Sequence, residues 1–171
     1  MNLDLRRLTA ADAPAWRALR LEAFALHPRE YRSTPAEEAA MDIAVLERVL
    51  AHNPAFGLFD GETLVGTGVL SLETRAKLAH KGEIRGVYVR AAHRGGGAGA
   101  RLMGALIEAA REAKVEIVHL TVSEGNGPAL RLYTRLGFSP WAFEPRALRL
   151  EDGTWVDEVA MARRVGLGDV R

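Results

Sequence analysis

Cysteine is absent from all 171 residues. Disulfides, zinc–cysteine sites and a thiol nucleophile are thereby excluded, and with them acyl transfer through an enzyme-bound cysteine. The same absence fits the cytoplasm, which is the expected location. Net charge is almost absent too: 23 Lys and Arg against 22 Asp and Glu leave +1. The charges are interspersed, so nothing electrostatic favours a nucleic-acid or membrane partner. No apolar run approaches membrane-spanning length, and Met1 to Arg7 lacks the apolar core of a signal peptide. No internal repeat or low-complexity linker divides the chain. What is left fits one domain over residues 1–171 with a sizeable core, with 166–171 as a frayed tail.

What is present is concentrated in the middle. Val87-Tyr88-Val89 is a β-type apolar run leading to Arg94-Gly95-Gly96-Gly97-Ala98-Gly99-Ala100, after which Leu102, Met103, Leu106 and Ile107 have helical spacing. A glycine-rich turn between a strand and a helix N-terminus presents backbone N–H groups, with the helix dipole behind them, to a phosphate. A P-loop would need Lys-Ser/Thr after the last glycine, and Ala100-Arg101 stands there instead. Gly95, Gly97 and Ala100 do match the dinucleotide spacing, and Glu116 lies where a ribose-binding acid would sit. That fingerprint opens a larger parallel sheet, however, and too few residues follow for one.

Arg94-x-x-Gly97-x-Gly99 directly after a strand resembles the acetyl-CoA pyrophosphate loop of the GNAT superfamily of N-acetyltransferases. A second segment carries the same resemblance. The strand-like run Val118 to Val122 is followed by Asn126, a short helix with Leu132-Tyr133, and a closing Gly137-Phe138. Read singly, Pro128 starts a helix, Gly137 ends it and Phe138 belongs to a core.

The remaining elements agree with this family. Leu3 to Leu8 reads as a strand. Trp16, Leu19, Ala23 and Leu26 form one helical stripe. Thr34-Pro35-Ala36-Glu37 is a capping-box start to a second helix, whose stripe continues through Ile43, Leu46, Val49 and Leu50. Asp60-Gly61 joins Phe56–Phe59 and Leu64–Leu70 as a hairpin. Ile84–Val89 and Val115–Val122 are strands; Arg101–Ala113 and Pro128–Leu136 are helices. Glu151-Asp152-Gly153 turns Ala147–Leu150 into Trp155–Val165. The order implies an α/β (α+β) GNAT fold: a mixed, strongly bent sheet of about six to seven strands flanked by about four helices.

The resemblance implies acetyl-CoA as co-substrate and no metal. Two strands, one ending at Val89 and one near Val122, would splay, so that Val87, Tyr88 and Val89 pair with the pantetheine arm as with an added strand. The N–H groups of Gly95, Gly96, Gly97, Ala98, Gly99 and Ala100 would take the pyrophosphate beside Arg94, with Arg90 or His93 adding charge if they point that way. Asn126 would bond the pantetheine. An amine would attack the thioester directly, through a tetrahedral intermediate held by the N–H of Tyr88 or Val89. Tyr133, a phenol with an ordinary pKa of about 10, would protonate the leaving sulfur. For the base there are three candidates: Glu83, His80 and Glu73. Plain alternation puts Glu83, Arg85, Val87 and Val89 on one face unless a bulge intervenes. His27, Arg29, Tyr31 and Arg32 are candidates for the acceptor wall, and Trp141 and Phe143 for either the pocket or the core. The acceptor is a small-molecule amine or a peptide or protein amine, and the protein a monomer or homodimer. A non-catalytic acyl-CoA-binding module is the alternative reading.

Overall fold

The computed structural model describes residues 3–166; apart from Gly166, the tail expected at 166–171 lies outside them. Seven strands and five helices succeed one another along the chain: β1 (Asp4–Arg7), α1 (Ala13–Leu26), α2 (Pro35–Ala40), α3 (Ile43–His52), β2 (Ala55–Asp60), β3 (Thr63–Leu72), β4 (Lys81–Val89), α4 (Ala98–Glu112), β5 (Ile117–Ser123), α5 (Gly127–Arg135), β6 (Ser139–Arg149) and β7 (Trp155–Arg164). Single 3-10 turns precede α1 and α4. The strands form one sheet in the order β1-β2-β3-β4-β5-β7-β6. All neighbours are antiparallel except β4 and β5.

Helices cover both faces. The α4 stripe Leu102, Met103, Leu106, Ile107 and Ala110 packs with α5 on Val65, Leu70, Ile84, Val118, Leu120 and Met161. On the other face Trp16, Leu19 and Phe24 of α1 and Leu46 and Leu50 of α3 cover Leu64, Val69 and Tyr88. A fully buried leucine such as Leu106 contributes about 1.5–3 kcal/mol of transfer free energy.

Two expectations need correction. The helix expected to run from Thr34 through Leu50 is two helices, which makes five rather than about four. The capping box forms as expected: the Glu37 N–H donates to Thr34 Oγ1 at 3.2 Å and the Thr34 N–H to Glu37 Oε2 at 2.8 Å. Met41 and Asp42 then turn extended, and Asp42 caps a fresh helix by accepting from the Ala44 N–H at 3.0 Å. An aspartate that competes for the backbone in this way ends one helix and starts the next. The last hairpin is also longer than expected, since β6 begins at Ser139. Pro140 and Pro145 hid it, but β6 is the sheet edge, where a missing N–H is tolerated. Its register slips near both prolines.

β4 is irregular on both of its edges. Beside β5 it pairs only through Lys81–Ile117, Gly82–Val118 and Glu83–His119, after which the strands part. Against β3 the register slips between the Thr67–Tyr88 and Val69–Arg85 pairs, so β4 carries one extra residue there. Gly86, at φ +63°, sits in this bulge. The slip rephases the strand. Ile84 shares the α4 face with Val87 and Val89, while Tyr88 faces α1 and α3. The alternation expected for Glu83, Arg85, Val87 and Val89 is thus broken, and Glu83 and Arg85 share the face of Tyr88. Gly86→Ala should lower the unfolding free energy by about 1–2 kcal/mol, the cost of the left-handed conformation for an L-residue, as measured by urea denaturation.

Candidate active site

The gap between β4 and β5 opens into a cleft of about 1050 Å³ that runs from the glycine loop to the inner side of α3. The loop is built by conformation. Gly95, Gly96 and Gly97 have φ of +82°, +53° and +83°, and a Cβ on any of them would meet nothing within 4 Å. Glycine is needed there for its left-handed backbone rather than for space. Gly97 caps α4, so the N–H groups of Ala98, Gly99 and Ala100 begin the helix without intrahelical partners. The Ala98 N–H reaches back to the Gly95 carbonyl at 3.2 Å, so the expected row of free donors is shorter by one. Gly99 has a separate reason: a Cβ there would lie 3.2 Å from Leu132 of α5. Gly96 turns instead to a small cavity of about 150 Å³ beside Leu3 and Arg101.

Arg94 stands between the loop and the end of β4. Its Nε donates to the Val89 carbonyl at 2.7 Å, its Nη2 lies 3.1 Å from His27 Nε2, and its guanidinium carbon is 5.7 Å from the Tyr88 ring centre. Arg90 and His93 point elsewhere. Arg90 grips Glu22, which also accepts from the Tyr88 hydroxyl at 3.0 Å, and His93 Nε2 lies 3.1 Å from Asp60 Oδ2. The bond from Arg90, and then that from the Tyr88 hydroxyl, hold the Glu22 carboxyl below its ordinary range against the opposing effect of burial.

Backbone alternation decides which β4 groups face the gap. The Arg90 N–H donates to the Val65 carbonyl of β3 at 2.8 Å. Tyr88, two residues back and paired with Thr67, turns the same way, leaving the Val89 N–H toward the gap. The Val87 carbonyl also faces it and accepts from the Tyr31 hydroxyl at 3.1 Å. Across the gap, Tyr133 of α5 is 8% exposed, with its ring edge-on to Phe138. Its hydroxyl makes no hydrogen bond among the described residues. Burial, and then the negative charge of Glu30, push its pKa up to about 12. Asn126 caps α5, its Oδ1 accepting from the Ala129 N–H at 3.1 Å while its Nδ2 donates to Glu30.

The acetyltransferase (GNAT) family matches residues 14–138. The chain belongs to this family. Among curated relatives, mycothiol acetyltransferase of Salinispora tropica is 34% identical over 137 residues, covering 77% of this chain and 43% of that protein. The enzyme of the same name from Brachybacterium faecium is 35% identical over 133 residues, covering 74% and 38%. The chain thus spans less than half the length of these relatives. A solved GNAT acetyltransferase from Streptococcus pneumoniae superposes with a TM-score of 0.85 at 20% identity, over 96% of this chain and all of that one. A phosphinothricin acetyltransferase from Sinorhizobium meliloti, solved in complex with AcCoA, gives 0.84 at 21% identity, over 100% and 92%. These two likenesses establish the GNAT fold.

Within this GNAT domain, the candidate bases separate. Glu83 lines the cleft. His80 precedes β4 at the strand end remote from the glycine loop. Its carbonyl accepts from the N–H groups of Glu116 and Ile117, and it does not line the cleft. Glu73 also lies outside, paired with Arg75, which holds its pKa down at about 2. Of the expected acceptor wall, His27, Tyr31 and Arg32 line the cleft, whereas Arg29 contributes a carbonyl bonded by Ser123 Oγ. Trp141 and Phe143 are in neither pocket nor core; they are 66% and 54% exposed on β6.

Glu158 and Arg20 were not anticipated. Glu158 of β7 is buried, ion-paired with Arg32, and lines the cleft. Its signal was a carboxylate in phase with Val156 on the buried side of a strand. Arg20 reads in sequence as one more charge on an amphipathic helix, and its partner Glu38 lies on a different helix. Among the described residues no group of three or more His, Asp or Glu is placed to hold a metal, and no helix is long and apolar enough to cross a membrane.

Proposed function

We propose that this chain is one domain acting as an acetyl-CoA-dependent N-acetyltransferase on an amine acceptor. The observation that carries the reading is a run of three left-handed glycines opening α4 at one end of a gap that leads past Val89 to Tyr133. Val87, Tyr88 and Val89 border the pantetheine arm, and Gly95, Gly97, Gly99 and Ala100 with Arg94 hold the pyrophosphate. Asn126 borders the arm near the thioester and exchanges its bond to Glu30 for one to cofactor. The Val89 N–H faces the developing oxyanion.

In the reaction, the amine nitrogen bonds to the thioester carbon, the C–S bond breaks, and the sulfur leaves as thiolate. The Tyr133 hydroxyl, fully protonated at neutral pH, donates to that sulfur. The proton released by the amine passes to Glu83, directly or through water. The S. meliloti relative, solved with AcCoA, supports the choice of cofactor.

The test is calorimetric titration with acetyl-CoA, with NAD as control, followed by CoA release with a panel of amines. Saturable binding of acetyl-CoA alone is expected. Arg94→Ala should weaken it by about 10- to 100-fold, the equivalent of a charge-assisted bond to phosphate. Binding without CoA release from any amine would instead mark a cofactor-sensing module, and binding of NAD alone would overturn the reading.

A further inference from the structure

Arg20 is held by a carboxylate and two aromatic rings. Its Nε and Nη2 donate to the two oxygens of Glu38 at 2.6 and 2.8 Å, and Glu38 is 0% exposed. The guanidinium carbon lies 4.7 Å from the Trp16 ring centre and 5.0 Å from that of Phe24. Two of its three nitrogens are therefore engaged, and two aromatic rings pack against the guanidinium. The third, Nη1, takes no partner among the described residues and stands 3.6 Å from where a Cβ on Gly86 would lie. Arg20 and Gly86 both line the cleft. A buried ion pair adds little net stability over an apolar pair of similar volume. What this one achieves is to aim a rigid N–H group at the β4 bulge.

The surroundings are specific. The bulge puts Arg85 and Glu83 on this same face, and both line the cleft. Neither has an ion-pair partner among the described residues. Opposite them, Met41, Val45 and Val49 give an apolar wall. Gly86 precedes Val87 on β4, and both line the cleft with Arg20, so the free Arg20 nitrogen opens on the stretch of β4 that leads to Val89.

We infer that the acceptor is an α-amino acid with an apolar side chain, its carboxylate held by Arg20 Nη1 and Arg85, its amine turned to Glu83, and its side chain against Met41, Val45 and Val49. The inference rests on the acetyltransferase reading above. A zwitterion matches the local charges: Arg20 and Glu38 cancel, and Arg85 and Glu83 remain, one of each sign. An amine lacking the carboxylate would desolvate the Arg20 N–H and leave it unpaired, and the site would reject it on that account.

The cysteine-free chain makes the assay simple, because a thiol reagent reads only released CoA. Leucine, methionine and phenylalanine would be compared with their amides and with 3-methylbutylamine. For at least one of the three side chains, kcat/KM should favour the acid by about 10- to 100-fold over its amide. The amide's amine loses its proton more easily, so reactivity alone predicts the opposite order. Arg20→Met with Glu38→Met removes the pair together and leaves no orphaned charge. It should abolish the preference while leaving the acetyl-CoA Kd within about twofold. Equal or better turnover of the amides, or a double variant that keeps the preference, overturns the inference alone. Failure of the wild-type protein to bind acetyl-CoA overturns it together with the reading it rests on.

Discussion

Tyr133→Phe is expected to lower kcat by about 10²- to 10³-fold and to leave the Kd for acetyl-CoA within about twofold. The magnitude is that of losing one positioned proton donor. The separation of kcat from binding follows from where the ring sits. Its carbon framework packs edge-on against Phe138 within the core, a contact phenylalanine keeps. The hydroxyl it loses makes no hydrogen bond among the described residues, so the deletion leaves no protein partner unsatisfied. A pKa of about 12 places any titration of this group above the range in which such enzymes are assayed. Equal losses in kcat and cofactor affinity would argue against the acid role.

The largest effect on stability is expected at Glu38. Its carboxylate is fully buried and held by Arg20 through two bonds, and Arg20 is itself mostly enclosed. Glu38→Ala strands that guanidinium against Trp16 and Phe24 without a counter-ion. Breaking one side of a buried pair costs about 3–5 kcal/mol. For a domain of this size that is a fall in Tm of roughly 6–20 °C. Differential scanning calorimetry of Glu38→Ala beside Arg20→Met/Glu38→Met checks it: the double variant should recover most of the loss, and a single variant as stable as wild type would refute the argument. An exposed pair such as Arg75–Glu73 offers no comparable effect.

Much of the architecture was legible in the residues because local chemistry dictated it. The glycine loop, the Thr34 capping box, the Asp60-Gly61 hairpin and the stripe of α4 each have one dominant physical reading, and each forms. The hairpin turn differs only in phase: Asp60 pairs with Thr63, leaving Gly61 and Glu62 as the loop. What stayed hidden depends on contacts distant in sequence. The break at Asp42 decided between two helical readings of one apolar stripe, and β6 was masked by prolines that only an edge strand tolerates. Candidate-site residues divided in the same way. Arg94, Tyr133 and the glycines stand out because the segments that hold them resemble the signatures of the GNAT family. Arg20 becomes conspicuous only when Glu38, 18 positions away on another helix, is seen against it. His80, an imidazole just before β4, does not line the cleft that Glu83 lines, because its backbone is tied to Glu116 and Ile117 beyond the reach of any sequence pattern.

The bulge at Gly86 gives the side of the cleft beneath α1 and α3 an unusual kind of dependence. Elsewhere in the site, identity resides in side chains and changes one residue at a time. At Gly86 it resides in a count. One backbone unit fewer, and β4 would present Ile84 to α1 and α3 while turning Glu83 and Arg85 into the leucine-rich side beneath α4. Every residue type would be retained, and the charged and apolar faces of the strand would trade places. The polarity of this pocket is therefore punctuated rather than spelled. Changes of length at this point would reverse that polarity far more abruptly than changes of letter.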